Sequence, residues 1–257
     1  MLFIVLSTTA AIVFVLGVGG NLAFWLSGKR GDEAVPLSAR VFGLLKEAPR
    51  FFLSPGTLKA FLTHGLLQVQ LLREDRLRWL MSISLTWGAI ELFFVGSLGN
   101  AVDDYGIAPL SQDDPWFALV NEAGGLLVLL GVGIALYRRY VARVPQLRGG
   151  WNDGLILAWL TLAVLTGYLT EAGRLISEAV PLDAARYSFA GHAVSCLSLD
   201  WGSAYGPLWW LHAVVTLSLF AYIPYSKLFH IFASPLSIMA RARAQGRSPE
   251  VSHGSPG

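Results

Sequence analysis

Five apolar stretches decide what this chain can fold into: Leu2 to Leu26, Leu80 to Leu98, Phe117 to Tyr137, Leu155 to Leu175 and Leu208 to His230. Each is long enough to cross a bilayer's hydrocarbon core as a helix. Inside lipid every backbone N–H and C=O must be satisfied within the protein, which leaves helices or closed barrels. A barrel announces itself as short alternating segments, and none occur. With 54% hydrophobic and 14% charged residues, the expected fold is all-α: a polytopic membrane bundle of five transmembrane helices.

Charge orients the bundle. Gly28 to Arg78 carries nine basic residues, Lys29, Arg30, Arg40, Lys46, Arg50, Lys59, Arg73, Arg76 and Arg78, and basic connections stay on the cytoplasmic side. The next connection holds Asp103, Asp104, Asp113 and Asp114 without a basic residue. The one after holds Arg138, Arg139, Arg143 and Arg148, and the tail holds Lys227, Arg241, Arg243 and Arg247. The alternation suits five spans with the N-terminus outside and the C-terminus cytoplasmic. The net charge of +2 follows from this bias, so no nucleic-acid partner is expected. The cell's inner (plasma) membrane is the expected location.

Met1 runs directly into apolar residues, with Lys29 and Arg30 beyond them, so the first segment reads as a reverse-oriented anchor rather than a cleaved signal. Residues 1–240 are expected to form a single membrane domain and 241–257, rich in Gly, Ser and Pro, a disordered cytoplasmic tail. Between Pro36 and Arg78, Phe42, Leu44, Phe51, Phe61, Leu66 and Leu71 alternate with Arg and Lys. That pattern fits one or two amphipathic helices lying on the inner membrane face or docking a partner. Cys196, the one cysteine, and His253 in the tail receive no role, and there is no Walker loop, dinucleotide fingerprint or zinc spacing.

Polar residues inside apolar spans carry the functional signal, because an ionisable group there is costly and faces the bundle interior. His212 and His230 lie eighteen residues apart. In an unbroken helix that separation is five whole turns, placing both imidazoles on one face and about 27 Å apart along the axis. Two readings stand side by side. Each imidazole hydrogen-bonds a neighbouring helix, or the pair ligates haem iron near opposite membrane surfaces. Pro224 intervenes and is expected to kink the helix. Glu91, Glu122, Glu171 and Arg174 are also placed in or at the edges of spans. Glu171 and Arg174, three apart, share a helix face and can pair with each other. Alternatively Arg174 neutralises a haem propionate or bonds a quinone carbonyl, with Glu171 exchanging a proton. Tyr168 and Trp159 line such a pocket or pack as ordinary aromatics.

Trp209-Trp210-Leu211-His212-Ala213 followed by Ile223-Pro224-Tyr225-Ser226-Lys227-Leu228-Phe229-His230-Ile231-Phe232 resembles the last membrane helix of the nitrate reductase gamma-subunit family. The likeness extends especially to the membrane cytochrome b subunits of heterodisulfide reductases and of the sulfite-reduction-associated complex. Asn121-Glu122-Ala123-Gly124-Gly125, Thr166 to Arg174 and Arg76-Leu77-Arg78-Trp79-Leu80-Met81 resemble the same family, and the likeness runs from about residue 60 to 240. The resemblance implies a five-helix subunit with one or two b-type haems, passing electrons between the quinone pool and a cytoplasmic iron–sulfur partner. It further implies that the last helix gives one ligand to each of two haems and the second helix the opposing histidines.

Here the chain departs from the pattern. Ser82 follows Met81 where the family has histidine, and no histidine occurs from Leu80 to Asn100. Three substitutes are open. His64 serves opposite His230 and His192 opposite His212, each by membrane side. Met81 ligates opposite His230. Or one or both haems are absent, and the chain is a structural anchor of a redox complex. In either case the chain is a subunit of an oxidoreductase rather than a complete enzyme. A transporter would call for inverted repeats and paired broken helices, which the sequence lacks.

Overall fold

The computed structural model describes residues 1–26, 54–99, 111–144 and 151–229, together with 42, 46, 49, 233–234 and 237–239. Among these residues there are helices and turns and no strand. Five helices are long and apolar enough to cross a membrane: Leu2–Trp25, Arg76–Ser97, Pro115–Val141, Trp151–Ser177 and Trp201–Tyr225. The expected five-span, all-α membrane bundle is the observed architecture, and the chain is a multi-pass membrane protein.

The helices are α1 (Leu2–Leu26), α2 (Pro55–Ala60), α3 (Val69–Glu74), α4 (Arg76–Glu91), α5 (Pro115–Leu136), α6 (Trp151–Ser177), α7 (Leu182–Ala185), α8 (Phe189–Ser195) and α9 (Trp201–Tyr222). Three of them continue as wider π-helical turns: α2 into Phe61–Leu66, α4 into Leu92–Gly99 and α5 into Tyr137–Val141. The expected amphipathic stretch is represented by α2 and α3, which Gln68 at φ 50 separates. Residues 36–41, 43–45, 47–48 and 50–53 of that stretch, residues 103, 104 and 148, His230 and the tail 241–257 lie outside the described residues.

Two compact units divide the chain. One comprises Met1–Ala11 with Leu71–Tyr222, the other Ile12–Gln70 with Ile223–Gly257. In the first unit α4 packs along α5, α9 along α6, and the short α8 also lies on α6. The α4–α5 contact is built on small residues. A methyl group on Gly88 would come within 2.7 Å of the Gly124 carbonyl oxygen and 2.8 Å of Val128 Cγ2, so only glycine lets the two backbones approach this closely. Val128, Val132 and Val164 form the buried centre, with Leu85, Leu92, Leu157 and Leu160 against them. Large apolar side chains such as Phe94, Leu126, Leu130, Leu162 and Val214 are exposed, as a lipid-facing surface demands. Asp75 caps α4 by accepting the Arg78 N–H at 2.9 Å and receives Arg138 Nη1 at 2.8 Å, tying the start of α4 to the end of α5. These bonds, the Arg78 N–H first and Arg138 second, hold the Asp75 carboxyl below its ordinary value.

In the second unit, α1 meets the segment after α9. Asn21 Nδ2 donates to the Pro224 carbonyl at 2.9 Å, the Tyr225 hydroxyl donates to the Val13 carbonyl at 3.0 Å, and Trp25 lies 5.7 Å from Phe229. One expectation is corrected here. The span ending at His230 is not one kinked helix, because the α-helix stops at Tyr222 and continues as 3-10 turns at Ile223–Tyr225 and Lys227–Phe229. Pro224 brings no N–H. Its carbonyl is taken by Asn21, and the Leu228 N–H that would have bonded it donates to Ser226 Oγ at 3.1 Å instead. Five unbroken turns therefore do not connect His212 to His230, and the shared helical phase derived from them falls.

Candidate functional site

His212 lies on α9, on the side that packs against α6. Its Nδ1 is 3.1 Å from the hydroxyl oxygen of Thr166, a side chain buried to 2% exposure. The ring rests where a Gly167 side chain would be: a methyl group there would come 3.2 Å from His212 Cε1. The same interface is pinned by Trp159 Nε1 donating to the Val215 carbonyl at 3.1 Å and by the Thr170 hydroxyl donating to the Leu208 carbonyl at 3.2 Å. Trp159 also stacks on Tyr222 with centroids 5.5 Å apart. Trp159 thus joins α6 to α9.

A second polar group gathers near the C-terminal end of α6. Arg174, 7% exposed, meets Glu171 as a two-toothed fork, Nε to Oε2 and Nη2 to Oε1, both at 2.9 Å. Its Nη1 reaches Asp113 Oδ1 at 3.0 Å and Glu178 Oε2 at 3.2 Å. Four of the five guanidinium N–H groups are therefore engaged. The expected self-pairing of Glu171 and Arg174 is present. Asp113, on the turn before α5, and Glu178, beyond α6, complete it. Their side chains are 42% and 49% exposed, so the group runs from a buried guanidinium out to solvent. Burying one cation is tolerable here because several carboxylates compensate it.

Glu122 on α5 is 3% exposed. Its carboxylate accepts the N–H groups of Ala190 at 3.2 Å and Gly191 at 3.3 Å, the first turn of α8. It thereby supplies from another helix the acceptors that the start of a helix needs. The Tyr168 hydroxyl donates to the Glu122 main-chain carbonyl at 3.1 Å. Tyr168 and Glu122 together bind α5, α6 and α8 beside the Arg174 group. Glu91 differs: its Oε2 is buried with no hydrogen-bond partner among the described residues.

The other candidate residues are more dispersed. His192 is partly exposed on α8 and His64 is exposed on the π-helical turn after α2, whereas Met81 and Ser82 are partly buried on α4. His230 falls outside the described residues. His212 is bonded to a threonine, not to another histidine. Among the described residues no group of three or more His, Cys, Asp or Glu side chains converges as a metal site. Sequence reasoning missed Thr166, Gly167, Asp113 and Glu178. The spacing of Glu178 four residues after Arg174 was available as a signal; the others become partners only through the fold.

Comparison with known proteins agrees with this architecture. The model of the family described as nitrate reductase gamma subunit matches residues 68–248. A subunit of the dihydromethanophenazine:CoB–CoM heterodisulfide reductase of Methanosarcina acetivorans is 25% identical over 92% of this chain and 89% of its own length. The EtfAB:quinone oxidoreductase of Syntrophomonas wolfei is 25% identical over 80% of this chain. The probable iron-sulfur-binding oxidoreductase FadF of Bacillus subtilis is 25% identical over 93% of it. This chain covers 32% of each of the last two. No solved structure matches significantly. Matched by the family model over well more than half of its residues, and built on the five spans and polar interior just described, the chain belongs to the nitrate reductase gamma subunit family.

Proposed function

We propose that this chain is the membrane electron-transfer subunit of an oxidoreductase complex, carrying b-type haem between the quinone pool and an iron–sulfur partner on the cytoplasmic side. Its family, and relatives named for heterodisulfide and quinone oxidoreduction, support a redox role. The single observation that carries the haem is His212, an imidazole inside a membrane helix whose Nδ1 meets the Thr166 hydroxyl at 3.1 Å and whose ring also bonds the Ala163 carbonyl. When bound, haem supplies reversible one-electron chemistry. The chain supplies ligands, insulation from water and a polar end.

His212 and His230 would hold haem iron, one haem each. By membrane side, His192 would serve with His212 and His64 with His230, with Met81 the alternative to His64. At the polar end, Glu171 would take a proton released by a quinol, and Asp113 and Glu178 on the same guanidinium carry the polar group out toward solvent. Arg174 holds these carboxylates in place, and Tyr168 fixes the neighbouring Glu122 backbone.

A reduced-minus-oxidised absorption spectrum, with haem counted per polypeptide on the purified full chain, tests the reading. A b-type spectrum that His212→Ala and His230→Ala each diminish is expected. Parental haem content in both variants would exclude the cytochrome. One observation favours a second reading, a haem-free anchor that holds a redox complex at the membrane: α4 carries Ser82 and no histidine where the resemblance calls for ligands. An unmutated chain without haem would establish it.

A further inference from the structure

We propose that Thr166 is the positioning residue for His212, fixing the imidazole tautomer that presents Nε2 to iron; this rests on haem ligation by His212 as proposed above. The assignment follows from where one proton can go. Thr166 Oγ1 lies 2.8 Å from the Leu162 carbonyl oxygen, 3.1 Å from that of Ala163 and 3.1 Å from His212 Nδ1. Carbonyl oxygens only accept, and a hydroxyl has a single proton to give. Given to the nearest acceptor, the Leu162 carbonyl, that proton leaves Thr166 a lone pair for the imidazole, and the Ala163 carbonyl, which the ring also bonds, is a second acceptor on the same side. A hydrogen bond at Nδ1 then requires the hydrogen to sit on Nδ1. A neutral imidazole carries only one N–H, which leaves Nε2 with its lone pair, the form that ligates a metal.

The next residue makes this arrangement possible. An alanine in place of Gly167 would press its methyl to 3.2 Å from Cε1 and to 3.7 and 3.8 Å from the two ring nitrogens. The ring is therefore laid against bare backbone, and Thr166 selects which nitrogen faces the helix. Two adjacent residues of α6 thus do separate jobs, one giving room and the other giving orientation. An N–H donated away from the metal also makes a ligating imidazole a stronger electron donor, which favours oxidised iron.

The test uses the full chain, purified with its haem, and compares Thr166→Val, Thr166→Ser and His212→Ala. Three quantities are read: haem per polypeptide, midpoint potential and the electron paramagnetic resonance signal. Thr166→Val keeps the shape but removes the hydroxyl acceptor, leaving the ring only the Ala163 carbonyl. It should bind haem about tenfold more weakly, as loss of an outer-shell partner typically does, raise the midpoint potential and alter the resonance signal. Thr166→Ser should behave as the parent, and His212→Ala should lose the haem. If Thr166→Val matches the parent in all three while His212→Ala loses its haem, the positioning role is wrong and His212 ligation stands. If His212→Ala keeps all haem, the ligation reading falls and this proposal with it. Should Thr166→Val fail to insert, the nitrogen-15 spectrum of histidine-labelled, haem-free parental chain reads the tautomer directly. A proton on His212 Nδ1 supports the role and a proton on Nε2 overturns it.

Discussion

Two glutamates set in neighbouring helices experience opposite environments. Glu122 is buried and both carboxylate oxygens accept backbone N–H groups, whereas Glu91 keeps a buried Oε2 with no partner among the described residues. Replacing a carboxylate that satisfies two donors with an amide forces an N–H toward an N–H, so Glu122→Gln should cost about 1–3 kcal/mol. Glu91→Gln, which removes a charge that nothing compensates, should leave stability unchanged or higher. Thermal unfolding in detergent checks both, and equal losses would overturn the distinction. Arg174 is the converse case. Arg174→Met leaves Glu171, Asp113 and Glu178 without their cation and should cost less than the roughly 3–5 kcal/mol of breaking a fully buried pair, because two of the carboxylates left behind are 42% and 49% exposed. Of this group the sequence made the Glu171–Arg174 pair readable, because three residues on a helix is a fixed distance. Asp113 is 61 residues from Arg174, and no local spacing reveals it. Thr166 was opaque for another reason: a threonine within a helix ordinarily bonds its own backbone, which this one does while also meeting His212.

Elements were legible wherever length and apolarity sufficed and obscure wherever one side chain ended or joined them. Five spans need only a long apolar run, so their existence was plain. Pro224 reads as a kink because a proline in a continuing apolar segment usually bends the helix. What the sequence did not show was Asn21, on a distant span, removing the Pro224 carbonyl from the helical ladder. The packing of α4 on α5 is equally specific. At Gly88 any side chain meets backbone atoms of Gly124 and Val128 as well as the buried Val128 Cγ2, so Gly88→Val should destabilise by about 1–3 kcal/mol through overpacking, with Gly19→Val, which meets nothing within 4 Å, as the silent control. Similar melting temperatures for the two would contradict the contact. The Asp75–Arg138 tie adds a pH dependence at the end of the same pair. A carboxyl whose folded value is lowered contributes stability that is fully present above its unfolded value and is lost as pH falls through the folded one. The tie should therefore persist through neutral and mildly acidic solution and weaken only in acid below the ordinary aspartate range. Arg138→Met should reduce that acid sensitivity, measured as melting temperature against pH.

Across the whole molecule, the bonds between helix ends constrain how the chain threads the bilayer. Asp75 with Arg138 places the start of α4 and the end of α5 at one end of their unit, and Asp113 with Arg174 places the start of α5 and the end of α6 at the other. α4, α5 and α6 therefore run in alternating directions, as the alternating charge of their connections requires. What these bonds do not decide is which end faces the cytoplasm, a choice made by the charge bias alone. Arg138, Arg139 and Arg143 close α5 at the Asp75 end, so that end is expected inside and Asp113 outside. Cys196 follows α8, in the connection between the fourth and fifth spans, and belongs to the Asp113 end. It is exposed, and it is the chain's one cysteine, which makes it a built-in reporter. A membrane-impermeant maleimide applied to right-side-out vesicles should label Cys196 in the otherwise unaltered protein and should fail with inside-out vesicles until detergent is added. Arg143→Cys in a Cys196→Ser background should give the opposite pattern. Reversed labelling would turn the protein over: the face proposed to dock the iron–sulfur partner would lie outside, and the polar group of Asp113 and Glu178 would open to the cytoplasm instead.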